Sequence, residues 1–374
     1  MVEHPPWRSK RWLRTATSRT NVAMARTCGA HLRIGVAANR GSDMTEAISV
    51  CVLARMPNPH LEASVGIFRH VLGHAGASLW VTDDVTKALL HAGPVLVMQL
   101  EQYNLRAHLL AIARAVMRRR TCAMVFRSRE ALVGTKPQTR VKRLLLRFER
   151  RLSSIAMLTI VPFDLLPRPE TLFRGWLHDP QLWDIAILPA PDEDRGLADR
   201  ALTRANGRPI IIVIGLLASY KGIDRLAELA NDADFCAQYL LVIAGSQIAD
   251  VKHRFADIAN DCIIEDRHIS DGEIYALYEA ADYVWSVYAP SYDQASGIFG
   301  RALQFGRTPL VRAGSLIEHY AKTLGRETVA VDWEASPSEI ARMLSSVPGK
   351  RAPYRVDTTA SFETLTTSVI GSVH

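Results

Sequence analysis

RPIIIVIGLLASYKGIDRLAELANDADFCAQYLLVIAG, residues 208–245, is the stretch that decides the fold. An apolar run from Ile210 to Ile214 ends at Gly215, a loop of mostly small residues follows, and Lys221-Gly222 opens a helix over 222–234. A second apolar run then closes on Ala244-Gly245. Short all-apolar runs bounded by glycine are the pattern of strands buried on both faces. Two of them joined through a helix form one β-α-β unit of a parallel sheet.

The same alternation spreads in both directions. Downstream, a helix is expected over 248–259, a strand at CIIE (262–265), and a helix at ISDGEIYALYEAA (269–281). In that helix Ser270 stands at the N-cap with Glu273 at the reciprocal capping-box position. DYVWSVYA (282–289) and TPLVRAG (308–314) read as strands around a helix at 297–306. Upstream, strands are expected at AISVCVLA (47–54), ASLWVTDD (77–84), GPVLVMQL (93–100), TCAMVFRS (121–128) and SIAMLTIV (154–161). Helices fall between them: one carries Leu61, Val65, Phe68, Val71 and Leu72 at helical spacing, and two more cover 105–119 and 137–153. DPQLWDIAILPAPDEDRG (179–196), with three prolines and a burst of acid, reads as the crossover between two such stacks. The expected class is α/β: two doubly wound Rossmann-like domains facing across a cleft, with ligands at the carboxyl ends of the strands. The expected divisions are a basic extension (1–45), an N-terminal acceptor-side domain (46–190), a C-terminal nucleotide-sugar domain (191–345) and a tail (346–374) that returns to the N-terminal domain.

Composition narrows the partners. The 374 residues are 48% hydrophobic and 22% charged, a globular mixture rather than a disordered or low-complexity one. Uncharged stretches such as Leu152 to Phe163 fall short of the roughly 18–20 residues a membrane-spanning helix needs. Five sparse cysteines (28, 51, 122, 236 and 262) form neither a CxxC pair nor a Cys/His cluster, which points to a reducing compartment and no metal site. The net charge of +7 hides an asymmetry: residues 1–190 hold 27 basic and 13 acidic side chains, leaving 18 and 25 for the rest. Residues 106–151 alone carry 14 basic residues against Glu130 and Glu149. Such a cluster binds nucleic acid or an anionic bilayer, or is simply a solvated helix face. No RNP aromatics, zinc finger or GxxG loop accompanies it, so no nucleic-acid partner is expected. VKRLLLRFERRL (141–152) interleaves Val141, Leu144, Leu145 and Phe148 with Arg and Lys, which suits a membrane surface if those apolar residues do not all face the core.

Two loops carry chemistry. GLLASYKG (215–222) ends a strand and opens a helix beside a lysine, a place for phosphate oxygens. SYDQASGIFGRALQFGRTPLV (291–311) puts Asp293 and the small residues Ala295, Ser296 and Gly297 before another helix. In order and spacing the two loops, with Ala244-Gly245 and the 269–291 stretch between them, resemble the nucleotide-sugar domain of GT-B glycosyltransferases, chiefly the large retaining family with an E-x7-E motif. The resemblance covers about 210–315. It implies that Lys221 and Gly215 hold the donor diphosphate with the amides of Ser296, Gly297 and Ile298, and that Asp293 meets the transferred sugar. Two departures stand out: Leu216 replaces an arginine that often contacts phosphate, and Arg301 replaces the second acid, so ribose binding does not carry over. Arg301, one turn into the helix, is expected at the diphosphate or paired with Asp293. The small loop before that helix and Asn58-Pro59-His60-Leu61 look loosely similar to bacterial exopolysaccharide mannosyltransferases.

The expected activity is a metal-independent hexosyl transfer that needs no cofactor. The donor would be a GDP- or UDP-linked sugar and the acceptor lipid-linked or a polysaccharide. The enzyme would lie at the cytoplasmic face of the inner membrane, held peripherally by the basic helices. If the reaction inverts, a base is needed, and Glu101 is the candidate, with Asp83 and Asp84 competing and His60 near the acceptor. A degenerate binding protein and a nucleotide-sugar epimerase on the same fold remain as alternatives.

Overall fold

Two parallel sheets of six strands form the frame, and every strand pairing within them is parallel. The structure, a computed structural model, describes residues 48–56, 59–256, 258 and 261–371. The basic extension, Asn58 and the side chain of His60 lie outside the described residues.

The first sheet has the order β2-β1-β3-β4-β5-β6. Its strands are β1 (Ile48–Leu53), β2 (Ala77–Thr82), β3 (Val95–Val97), β4 (Thr121–Val125), β5 (Ile155–Thr159) and β6 (Gly175–Trp176). The helices between them are α1 (Pro59–His74), α2 (Val85–Leu90), α3 (Leu100–Tyr103), α4 (Leu105–Val116), α5 (Ser128–Val133) and α6 (Pro137–Glu149). The second sheet, order β12-β11-β10-β7-β8-β9, contains β7 (Ile210–Ile214), β8 (Leu240–Ala244), β9 (Ile263–Glu265), β10 (Tyr283–Ser286), β11 (Thr308–Arg312) and β12 (Val329–Val331). It is flanked by α7 (Gly196–Ala205), α8 (Ile223–Asn231), α9 (Ala233–Gln238), α10 (Asp271–Ala280), α11 (Gly297–Gln304), α12 (Leu316–Thr323) and α13 (Pro337–Ser345). α14 (Thr359–Val369) closes the described chain against the first sheet, where Arg120 donates to the Thr367 carbonyl at 2.9 Å and Ser361 accepts from the His178 amide at 3.0 Å.

β7 shows why these runs become strands. All five residues are buried, so each side chain adds roughly 1.5–3 kcal/mol of burial on one face of the sheet or the other. One core cluster joins the first sheet to Tyr288, Phe299, Leu316 and Tyr320 of the second half and to Leu365 and Val369 of α14. The two sheets are thus welded through shared apolar packing rather than merely tethered.

The capping box on α10 forms as the spacing requires, with Glu273 N donating to Ser270 Oγ at 3.2 Å and Ser270 N to Glu273 Oε2 at 3.0 Å. Other segments depart from the expected pattern. Among the described residues of 248–259 there is a 3-10 turn, Lys252–Phe255, in place of the expected helix, because the chain before it is spent on a bridge: Ile248 N bonds Leu217 O, and Gln247 N bonds Asp266. The helix read over 222–234 breaks at Asp232, whose carboxylate accepts from Phe235 N at 2.7 Å and so starts α9 instead of continuing α8. The strand read over 93–100 is cut to three residues, since α3 already begins at Leu100. The crossover is not a bare linker. Its 3-10 turns, Pro180–Leu182 and Asp184–Ala186, form a strap laid on α11.

Candidate functional site

The loop after β7 is built by glycine. Gly215 and Gly222 both take positive φ, +87° and +68°, and a Cβ on Gly222 would stand 2.4 Å from the Val287 carbonyl. Trp285 Nε1 donates to Lys221 O at 3.0 Å and Ala289 N to Tyr220 O at 2.8 Å, which clamps the turn onto the loop after β10. This fixes the Lys221 ammonium beside the strand end, where it donates to the Ile214 carbonyl at 3.1 Å. Burial lowers its pKa to about 8, and no carboxylate among the described residues offsets that cost. Leu216, in the position of the missing arginine, points into solvent.

The start of α11 lies close by. Ser296 caps it by accepting from Phe299 N at 3.3 Å and bonds the Tyr288 hydroxyl at 2.7 Å, while Ile298 O accepts from Tyr278. Gly297 and Gly300 turn their bare faces to Gln181 of the strap; a Cβ on Gly300 would approach the Gln181 carbonyl to 2.6 Å, and one on Gly297 would overlap the Gln181 carboxamide. Small residues here therefore serve close approach of the strap.

Asp293 is fully engaged. It accepts from Leu316 N at 2.7 Å at the start of α12, pairs with Arg312 at 3.4 Å, and takes an ion pair from Arg129 of the first half. Arg301 does not reach it. The Arg301 guanidinium turns to the strap, binding Asp184 at 2.9 and 3.0 Å, and Gln304 adds a bond to the other Asp184 oxygen at 2.7 Å. Asp184 is only 1% exposed, so the positive residue in the second motif position is met by a buried acid from another segment.

Glu101 follows β3 and is similarly committed. Its carboxylate accepts from Arg127 N and from Lys142, both at 3.0 Å, tying β3 to the end of β4 and to α6. Asp84 caps α2 through Thr86 N at 2.8 Å, and Asp83 lines a separate cavity of about 550 Å³ with Glu62 and Arg69 at the ends of β1 and β2. None of these three carboxylates is placed with Lys221.

An interdomain cleft of about 490 Å³ opens between the residues after β4 and those after β10. Arg127, Arg129 and Lys136 form one wall; Tyr292, Asp293 and Gln294 form the other. Tyr292 stacks on Tyr220 at 4.5 Å, so the loop bearing Lys221 is continuous with this cleft.

One carboxylate escaped the sequence reading. Asp179, just past β6, is buried, with Gln181 N donating to Oδ1 at 3.0 Å. Burial, with Asp184 nearby, raises its pKa to about 6 against the opposing pull of the Gln181 bond and Arg301. Its charge is felt by the hydroxyls of Tyr288, Tyr292 and Tyr320, and Tyr320 also bonds His178 Nδ1 at 2.7 Å. The three prolines of DPQLWDIAILPAPDEDRG marked the segment as a linker and drew attention away from Asp179 and Asp184.

No protein-family model matches the sequence, and no curated protein matches it. Solved structures do. The S. aureus MnaA co-structure with UDP aligns at a TM-score of 0.56 and 8% identity, covering 87% of this chain and 92% of that one. Anabaena HepE in complex with UDP and glucose aligns at 0.52 and 13%, covering 86% and 93%. The likeness is one of fold: two doubly wound domains in the GT-B arrangement.

Proposed function

We propose that the protein is a glycosyltransferase that moves a hexose from a nucleotide diphosphate sugar to an acceptor presented at a membrane surface. Lys221 carries the reading: a half-buried ammonium with no anionic partner among the described residues, at a strand-end loop, is held ready for a ligand that brings negative charge. A nucleoside diphosphate brings that charge. UDP is favoured over GDP because UDP is the nucleotide in the two solved complexes of like fold.

The chemistry follows from charge. Lys221 and the positive end of α11 neutralise the departing diphosphate, which lowers the barrier to breaking the sugar–phosphate bond. Glu101 is hindered as a base because its oxygens are taken by Lys142 and backbone amides; Asp179, whose pKa burial raises to about 6, is the other carboxylate to test in that role. Asp293 would meet the sugar only after loosening from Arg129, so closure and opening of the cleft are tied to that ion pair.

Membrane presentation is supported by a face that runs against the usual pattern. α4 and α6 bury His108, Arg114 and Glu149 while exposing Leu105, Leu109, Val141, Leu144 and Phe148 among arginines. No helix among the described residues is long and apolar enough to cross a membrane.

Calorimetric titration with UDP, GDP and CMP tests the donor site. Wild type is expected to bind UDP, and Lys221→Ala to weaken binding about 10- to 100-fold, the worth of one desolvated charge-assisted contact. A second reading, a binding protein without turnover, is motivated by the engaged state of Asp293 and predicts the same titration with no release of UDP from UDP-sugars. If no nucleotide binds, the donor reading falls.

A further inference from the structure

We propose that the interdomain cleft is an acceptor subsite for a sugar bearing an anionic group, phosphate or carboxylate, next to the ring that is glycosylated. The inference rests on the glycosyltransferase reading and specifies its acceptor. Its argument begins with an imbalance of charge. On the wall after β4, Arg127 is 56% exposed and its one ion pair is a loose contact to Glu130 at 3.9 Å, while Lys136 has no ion pair among the described residues. Asp293, the acid of the opposite wall, is already matched by Arg129 and Arg312. Glu130 also lines this cleft of about 490 Å³, so Arg127 and Lys136 face it with a single, loosely paired acid between them and a net positive charge remains.

The opposite wall supplies the other half of a carbohydrate site. Tyr292, held flat on Tyr220 at 4.5 Å, borders the same space, and Arg127 lies near enough to influence both tyrosine hydroxyls. Pyranose rings pack their C–H faces on aromatic side chains, and a few well-placed polar groups then fix orientation. A ring against Tyr292 with its anion toward Arg127 and Lys136 uses both walls at once. A neutral glycan would leave Lys136 without a counter-charge, which favours the charged acceptor over its uncharged counterpart. Lys221 lies one loop away through Tyr220, so donor and acceptor would meet at this junction.

The test measures binding to the full chain in a Lys221→Ala background, so that phosphate on a probe is not read at the donor loop. The probes are a short-chain alkyl glycosyl phosphate, a glucuronate-containing oligosaccharide, and the neutral counterpart of each. At least one anionic probe is expected to bind tenfold or more tightly than its neutral counterpart, and Arg127→Gln/Lys136→Gln to erase that preference. UDP affinity, measured separately with Lys221 intact, stays unchanged in the double variant. Preference for the phosphate identifies a phosphate-linked acceptor and preference for the uronate an acidic polysaccharide; either supports the subsite. Equal binding of charged and neutral probes, no binding of any probe, or a preference that survives the double variant overturns it. Because UDP is titrated on its own, loss of the donor reading would show as absent UDP binding while the probe preference is still scored.

Discussion

α11 and α6 are both amphipathic helices packed over a buried carboxylate, yet they treat charge in opposite ways. Under α11 the acid is Asp184, brought by the strap, and its partner is Arg301, which stays protonated at any physiological pH. Under α6 the acid is Glu149 on the helix itself, and its partner is His108 at 2.8 Å. Burial raises the Glu149 pKa against the pull of His108, so this carboxylate takes up a proton more readily than an exposed one. A permanent ion pair fixes one segment on another, whereas a pair that can discharge is compatible with a helix whose outer face does something else. α11 is covered by the strap; α6 shows Leu144, 64% exposed, and Phe148 to the outside.

The sharpest way to break this comparison is Arg301→Met. It leaves Asp184 buried and without its cation, held only by neutral donors, Gln304 and the Ile185 amide, and should cost about 3–5 kcal/mol of stability. Arg301→Met with Asp184→Leu should recover most of that loss, because an apolar pair of similar volume removes the stranded charge. Denaturant unfolding of the two variants decides it. A small loss in the single variant would mean that the strap is not anchored by this pair.

Asp179 sharpens the same contrast within the strap, five residues from Asp184 but with no cation of its own. Its folded pKa of about 6 lies above the ordinary 3.8, so the folded state holds the proton more tightly than the unfolded chain. The stability this contributes is full below pH 4, is lost as pH rises from about 4 to 6, and then stays lost, about 3 kcal/mol in all. Asp179→Asn removes that slope: its stability should match wild type at pH 4 and exceed it at pH 8. If Asp179 also takes the acceptor proton, turnover should fall about 10²- to 10⁴-fold in the more stable variant. Parallel slopes for the two proteins would refute the buried-acid account.

These cases show which parts of the molecule the chain announces. The strands were legible because runs such as Ile210 to Ile214 are apolar on both faces, a pattern that only a covered parallel sheet requires. The position of Lys221 was legible for a related reason, since Gly215 and Gly222 mark backbone that L side chains avoid. Arg301 was misjudged because its partner lies 117 residues away, and nothing local distinguishes a cation aimed at phosphate from one aimed at a buried acid. Asp179 and the cleft pair Arg127 and Lys136 were missed on the same ground: their roles come from two sheets meeting, and no periodicity within one segment encodes that meeting.

The smallest expected effect concerns the outer face of α6. Arg147 and Leu144 lie on one exposed side, and they should contribute to membrane contact by different physics. Arg147→Gln removes about 1 kcal/mol of attraction to anionic lipid, a roughly fivefold fall in partitioning onto phosphatidylserine-containing vesicles at low salt. The fall should vanish as salt shortens the reach of the charge. Leu144→Ser should weaken partitioning at every salt concentration, because the apolar contribution does not depend on ionic screening. Cosedimentation of wild type and both variants across salt separates the two. If wild type leaves anionic vesicles in the supernatant even at low salt, the exposed apolar side of α6 is not a membrane face, and its difference from α11 lies only in what each helix buries.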